Sequence, residues 1–261
     1  MSDRPAPAET APVPIDLAVV SALPPEIAAV TDALGSPQAL SAGVFPRLSS
    51  RLDTPDGRSV VCIATGAGKT RAARGMALLF GRYRPARIFA VGIAGSAADR
   101  VDVGDLVVGR RAWYYDVDAT ALGIAYGTVL PGGAEHYDLH HPARDLAWLR
   151  RLASTVSSPQ TRVHLGEVAT GDTFVDAVAL DALPLRWRER IEASAAVDME
   201  SAAWAEAASP HGIPVTVVRI ISDHVHTGER LSFRRACARI GEVAARRLLA
   251  PLEERSDGAG E

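Results

Sequence analysis

The sequence predicts an α/β fold, a single domain with a central mixed, mainly parallel β-sheet flanked by helices. Three observations predict it. Short β-branched runs alternate with longer helical stretches along the chain. Some runs, such as Val60-Val61-Cys62-Ile63, are apolar without a break, and Val215 to Ile221 is strongly apolar, as strands covered on both faces are. The chain has 261 residues, 48% of them hydrophobic, which suits one large domain with its own core.

In order, Ile15 to Val20 reads as the first strand and Pro25 to Leu34 as the helix after it. Ser59 to Ala64 is a strand and Lys69 to Tyr83 a helix. Arg87 to Val91 and Asp105 to Val108 read as further strands. Helix Ala143 to Ser154 precedes strand Arg162 to Val168. Val197 is a short strand leading into helix Ser201 to Ser209. Val215 to Ile221 is the most apolar strand, and Ser232 to Leu249 is the closing helix, with most of its basic residues on one side. There is no internal repeat and no linker, so residues 15–250 read as one domain. Residues 1–14, rich in Pro and Ala, read as a disordered leader and residues 251–261 as a frayed tail.

Composition excludes several function classes. The 28 basic and 31 acidic side chains nearly cancel and form no long basic run, so nucleic acid and anionic membranes are not expected partners. No apolar stretch approaches the ~18 residues of a transmembrane helix, and the N-terminus lacks the apolar core of a signal peptide. The two cysteines, Cys62 and Cys237, are too isolated for a disulfide framework or a zinc spacing, and the chain is expected in the cytoplasm. Asp116 and Asp118, His140-His141, and His224 with His226 lack a matched third ligand, so neither a metal nor another cofactor is expected.

In open α/β sheets, ligands bind at the carboxyl ends of strands, and the unusual polar residues fall there. Glu26 follows the first strand, and its bland reading is an acid favouring a helix N-terminus. Thr65-Gly66-Ala67-Gly68-Lys69-Thr70 invites a phosphate-loop reading, but Ile63 stands where that pattern requires glycine. The segment reads either as a turn that approaches a ligand or as an ordinary strand-to-helix turn. Gly92-Ile93-Ala94-Gly95 reads as a turn of small residues against which a sugar or base could lie. Asp198-Met199-Glu200 places two carboxylates before an alanine-rich helix. Asp198 suits a helix cap, while the carboxylate of Glu200 suits a vicinal diol. Asp223 ends the most apolar strand, where it either caps the next segment or, favoured in its neutral form by desolvation, donates a proton.

Taken in order, these segments resemble the nucleoside phosphorylase superfamily, and within it the 5′-methylthioadenosine/S-adenosylhomocysteine nucleosidases. The resemblance runs from about Leu17 to Leu249. It rests on Ala22-Leu23-Pro24-Pro25-Glu26, Thr65-Gly66-Ala67-Gly68-Lys69 and Gly92-Ile93-Ala94-Gly95. It continues through Val103-Gly104-Asp105-Leu106-Val107-Val108, Tyr115 to Thr120, Tyr126-Gly127, Leu130-Pro131-Gly132 and Thr170-Gly171-Asp172-Thr173-Phe174. Val197-Asp198-Met199-Glu200, Ile221-Ser222-Asp223 and Leu231-Ser232-Phe233 complete it.

The resemblance implies hydrolysis of the N-ribosidic bond of a 5′-substituted adenosine, with Glu26 activating water and Asp223 protonating the base. It implies that Glu200 holds the ribose hydroxyls with Met199 packed on the sugar. Phe174 would stack on the base, Val175 offer it backbone groups, Ser222 orient Asp223, and Phe233 cover the 5′ substituent. Ala94 and Gly95 would lie against the substrate. It implies a homodimer whose second copy helps close the 5′ side. The family's usual Val-Glu-Met-Glu is Val-Asp-Met-Glu here, a serine common in the glycine-rich segment is Ile93, and Phe-Ile is Phe174-Val175. These departures leave other adenosyl or futalosine-type substrates open. The alternatives are a phosphate-dependent phosphorylase and a nucleoside-binding protein without activity. Against the first, Leu23-Pro24-Pro25-Glu26 stands where phosphorylases carry a Gly-Asp-Pro-Arg-like segment. Against the second, the acid, base and ribose-binding positions are all filled.

Overall fold

The computed structural model describes residues 11–33, 47–53, 57–130, 132–140 and 161–249. Its elements are β1 (Val13–Ile15), β2 (Leu17–Ser21), α1 (Pro24–Ala33), β3 (Arg47–Asp53), β4 (Ser59–Ala64), α2 (Lys69–Phe80), β5 (Tyr83–Pro85) and β6 (Ile88–Ser96). They continue with β7 (Leu106–Tyr114), β8 (Tyr137–Asp138), β9 (Val163–Thr170), α3 (Ala177–Asp181), α4 (Leu185–Ala193), β10 (Ala196–Asp198), α5 (Ser201–Ala208), β11 (Val215–His224) and α6 (Phe233–Leu249).

The main sheet runs β3-β4-β2-β6-β11-β7-β9-β10, with β8 added at β7. Strands β4, β2, β6 and β11 are mutually parallel. Strand β7 runs antiparallel to β11, with β9 and β10 parallel to β7, so the sheet is mixed. The path then closes, because Val197 of β10 pairs with Gly95 of β6. Strands β6, β11, β7, β9 and β10 therefore form a ring, and the carboxyl ends of β6 and β10 meet at its joint. That joint brings Gly92 to Gly95 beside Asp198 to Glu200.

Strict alternation along β2 divides the core into two layers. Leu17 and Val19 pack on one side with Ile27 and Val30 of α1 and Ile240 and Val243 of α6. Ala18 and Val20 face the other side, with Ala72, Met76 and Leu79 of α2 and Ala202 and Trp204 of α5. Both faces are helix-covered, which is why β2 and β4 are buried at every position.

Several elements differ from the sequence reading. Strand β6 continues through Gly92-Ile93-Ala94-Gly95 to Ser96, so this segment is strand and not a turn. Strand β7 runs on to Tyr114, because the exposed Arg110-Arg111 pair interrupts an apolar pattern without ending the hydrogen bonding. Helix α2 stops at Phe80, where Gly81 caps it, and Tyr83–Pro85 pairs with β1. Strand β1 begins at Val13, inside the stretch read as leader. Helices α3 and α4 carry few buried side chains, Leu180 and Ile191, and so give little apolar periodicity to read. The helix expected over 143–154 lies outside the described residues.

Ile63 of β4 is fully buried in the second layer. Truncating it to alanine removes packed methyl groups, and we expect Ile63→Ala to lower unfolding free energy by about 2–5 kcal/mol in a urea titration. An unchanged midpoint would show that β4 is not packed as described.

Candidate active site

Helix α1 starts at Pro24, a residue suited to a first helical position. Glu26, two residues on, reaches back, and its Oε2 accepts from the Leu23 backbone N–H at 2.7 Å, which is half of a capping box. Its Oε1 accepts from the Ile93 N–H at 3.0 Å. The side chain is 1% exposed. Burial pushes the Glu26 carboxyl above its ordinary range, opposed by the Leu23 hydrogen bond, the Arg219 charge and the Ile93 hydrogen bond.

Beyond Glu26 lies a buried group of charges. Arg219, from the middle of β11, has no exposed surface. Its Nη2 lies 2.6 Å from Asp198 Oδ2 and 3.4 Å from Glu200 Oε2. Its guanidinium also stacks 4.9 Å from the Trp204 ring centroid. Gly92 makes room for the group, since a Cβ there would fall 2.4 Å from Arg219 Nη1 and 2.9 Å from Glu26 Oε1. Asp198 Oδ1 accepts from the Glu200 and Ser201 N–H groups at the start of α5, so Asp198 caps that helix as its spacing suggested.

Glu200 is buried, and its Oε1 accepts from the Gly68 N–H at 3.0 Å. Desolvation pushes its carboxyl up to about 7, opposed by Arg219 and assisted by Asp198. Gly66 and Gly68 both hold positive φ. The glycine turn thus gives its amide to a carboxylate, and Lys69 pairs with Asp116 at 2.6 Å. The Asp172 side chain accepts from the Lys69 N–H while its own N–H donates to Asp116, which ties the glycine turn to the segment that follows β9.

Asp223 belongs to a second group. Ser222 Oγ lies 2.7 Å from Asp223 Oδ1 and 3.2 Å from the Ala94 carbonyl. A Cβ on Gly95 would stand 2.9 Å from Asp223 Oδ2, so this glycine too admits a carboxyl group. Asp223, Phe174 and Val175 line a cavity of about 200 Å³ with His224, Gly228 and Arg230. Phe174 is 57% exposed, with the Arg230 guanidinium 6.0 Å from its ring centroid, while Val175 is buried.

The residues named from sequence therefore fall into two groups on either side of the Gly92–Gly95 stretch. Glu26 and Glu200 meet at Arg219, with Met199 half-buried beside them. Ala94, Gly95, Phe174, Val175 and Ser222 gather near Asp223. Phe233 joins neither group; it opens α6 with 41% of its surface exposed. Asp118 accepts from the backbone and hydroxyl of Thr120, which is a turn interaction. Among the described residues no cluster of His, Cys, Asp and Glu is placed to hold a metal, and no helix is long and apolar enough to cross a membrane. A wider cavity of about 720 Å³ lies near Tyr137, Glu206 and Pro214 and contains none of the site residues. The buried carboxyls, more than cavity size, mark the candidate site.

Sequence reasoning missed Arg219, Ser201 and Thr170. Its available signal was an arginine inside the most apolar strand, since a buried guanidinium requires acidic partners. We expect the raised proton affinity of Glu200 to cost stability as pH rises. Its folded form holds a proton between roughly 4.5 and 7 that the unfolded chain releases, so its contribution is most favourable below that window and is lost above it. Glu200→Gln should therefore raise the melting temperature relative to wild type more at pH 8 than at pH 5. A difference independent of pH would remove Glu200 as the titrating group.

Residues 16–252 match the family model described as the phosphorylase superfamily. A 5′-methylthioadenosine/S-adenosylhomocysteine nucleosidase from Anoxybacillus flavithermus is 30% identical over 84% of this chain and 90% of its own length. Two solved nucleosidases of that description share the architecture. The Neisseria meningitidis protein, in complex with methylthio-immucillin-A, has a TM-score of 0.71 and 26% identity, covering 88% of this chain and 96% of its own. The Colwellia psychrerythraea protein, in complex with adenine, has a TM-score of 0.70 and 26% identity, covering 88% and 95%. The chain belongs to the phosphorylase superfamily.

Proposed function

We propose that this chain is an N-glycosyl hydrolase that cleaves 5′-substituted adenosines, such as methylthioadenosine or S-adenosylhomocysteine, into adenine and a ribose derivative. The observation that carries the reading is the separation of two carboxyl groups by one stretch of β6. Glu26 is buried and held by two backbone amides, whereas Asp223 faces an open cavity beside a serine. On this reading Glu26 receives a proton and Asp223 gives one.

Water attacks the anomeric carbon, and Glu26 takes the proton it loses. The bond from that carbon to the base breaks with its electron pair going to the purine, which Asp223 protonates at N7. Two backbone N–H groups fix Glu26 and leave lone pairs for water. The single hydroxyl proton of Ser222 donates to one acceptor at a time. When it is given to Asp223 Oδ1, it fixes the carboxyl plane and leaves Oδ2, beside Gly95, for the base. Glu200, on the far side of the joint, suits the ribose diol, with Met199 against the sugar. Phe174 offers a face for stacking and Val175 its backbone. The Gly68 N–H, Lys69 and Arg219 are already engaged by carboxylates, which favours water over phosphate. The reading also carries a cytoplasmic homodimer, consistent with exposed Leu122 and Leu130, and sedimentation would test it.

Incubation with methylthioadenosine in phosphate-free buffer should release adenine and free methylthioribose at an undiminished rate. Formation of a ribose-1-phosphate derivative only when phosphate is added would make the enzyme a phosphorylase. Asp223→Asn should lower kcat by ~10²–10⁴-fold, the usual contribution of a positioned general acid. Near-native turnover would exclude that role. Glu26→Gln should abolish hydrolysis in a folded protein. In wild type the acid limb of kcat/KM should lie above the ordinary carboxylate range, because Glu26 acts only after losing a proton that burial makes it keep.

A further inference from the structure

Among the described residues, Arg219 is the cation that Glu26, Asp198 and Glu200 share, and its guanidinium edge is not aimed equally at them. Nη2 contacts Asp198 Oδ2 at 2.6 Å, while Glu200 Oε2 is 3.4 Å away. Nε and Nη2 both point at Ser201 Oγ, at 3.3 and 3.1 Å. The same hydroxyl donates to Asp198 Oδ2. Ser201 is fully buried in the first turn of α5. It therefore completes a three-membered contact in which one hydroxyl gives its proton to the aspartate and its lone pairs to the arginine.

Both oxygens of Asp198 are already engaged, Oδ2 by Arg219 Nη2 and the Ser201 hydroxyl. Its Oδ1 accepts from Thr170 Oγ1 at 2.6 Å and from the Glu200 and Ser201 N–H groups at 3.3 and 3.2 Å. Without the Ser201 hydroxyl, the Nε–H would lose the acceptor it has here. A buried guanidinium N–H without a partner is costly, and the carboxylates left to satisfy it are the two glutamates. We propose that Ser201 is a positioning residue that holds the guanidinium edge of Arg219 toward Asp198 and limits how much of its charge reaches Glu26 and Glu200. This rests on the nucleosidase reading, in which those glutamates are the water-activating and ribose-binding groups.

The groups facing the glutamates come from several elements. Arg219 lies on β11, Asp198 on β10, and the Gly68 N–H precedes α2. Cys237 of α6 faces Glu26, which together with burial pushes its thiol up to about 11 and keeps it neutral. Arg219 is thus the charged group whose movement would act on both glutamates at once.

The test compares wild type, Ser201→Ala and Ser201→Thr by two readouts. The first is the pH dependence of kcat/KM for methylthioadenosine. In Ser201→Ala the acid limb should move to lower pH by roughly half a unit or more, as the arginine turns to the glutamates. Ser201→Thr, which keeps the hydroxyl, should retain the wild-type limb. The second is a carbon-13 titration of glutamate carboxyls in the substrate-free protein, which needs no activity. Wild type should show a glutamate carboxyl titrating near neutrality, and Ser201→Ala should bring it down. An unchanged or upward shift in Ser201→Ala, or an equal shift in Ser201→Thr, overturns the proposal. Should Ser201→Ala not fold, a wild type or Ser201→Thr protein lacking any near-neutral glutamate carboxyl overturns it equally. No turnover of methylthioadenosine would sink the reading of function, while the carboxyl titration would still decide the role of Ser201.

Discussion

A guanidinium removed from water and set among three carboxyl groups is the constraint around which this site is built. Taking such charges out of solvent is expensive unless each finds partners, and leaving one unpaired costs about 3–5 kcal/mol. The surrounding structure supplies those partners. Thr170 and the start of α5 satisfy Asp198, the glycine turn satisfies Glu200, and the start of α1 satisfies Glu26. Trp204 lies against the guanidinium, and the missing side chain at Gly92 lets arginine and glutamate share one stretch of strand. Four elements and one turn are thus held to a common point by charges that would be cheaper to replace with hydrocarbon. Such an arrangement makes sense where chemistry needs it.

Ring closure serves the same point. An open sheet would leave β10 far from β6, and Glu200, which follows β10, far from Glu26 at the start of α1. The Val197–Gly95 pairing closes the path and carries Glu200 to within reach of an arginine rooted in β11. Glu26 shows how one residue meets two demands. Its backbone-capping contact is the ordinary reason for an acid in a first helical turn, and the same contact holds the carboxyl at the site.

Much of this was legible in the sequence because it rests on local pattern. Strongly apolar runs mark β2, β4 and β11, and polar residues at their ends mark the candidate site. The glycine-rich end of β6 was read as a turn because glycine is a poor strand former. Its glycines are there because Glu26, Arg219 and Asp223 crowd against the backbone, a tertiary reason invisible locally. Arg219 escaped notice as a site residue for a related cause. One charged residue in a strand has no meaning until its partners, contributed by β10 and α1, are known. Helix α4 was missed because its residues are mostly charged and its buried anchor is Ile191.

The irregularity near the end of β11 has a consequence of its own. Arg219 pairs with Gly92 and Ile221 with Ala94, but Asp223, not Ser222, pairs with Gly95. Ser222 is the extra residue of a bulge, and an insertion of one residue turns every later side chain to the opposite side of the strand. In an unbroken strand, residues 219 and 223 would share a side, and the acid would join the cluster of buried charges. With the bulge they project from opposite sides, as Gly92 and Gly95 do along β6. A single strand thickness of backbone then stands between the buried charges around Arg219 and the carboxyl of Asp223.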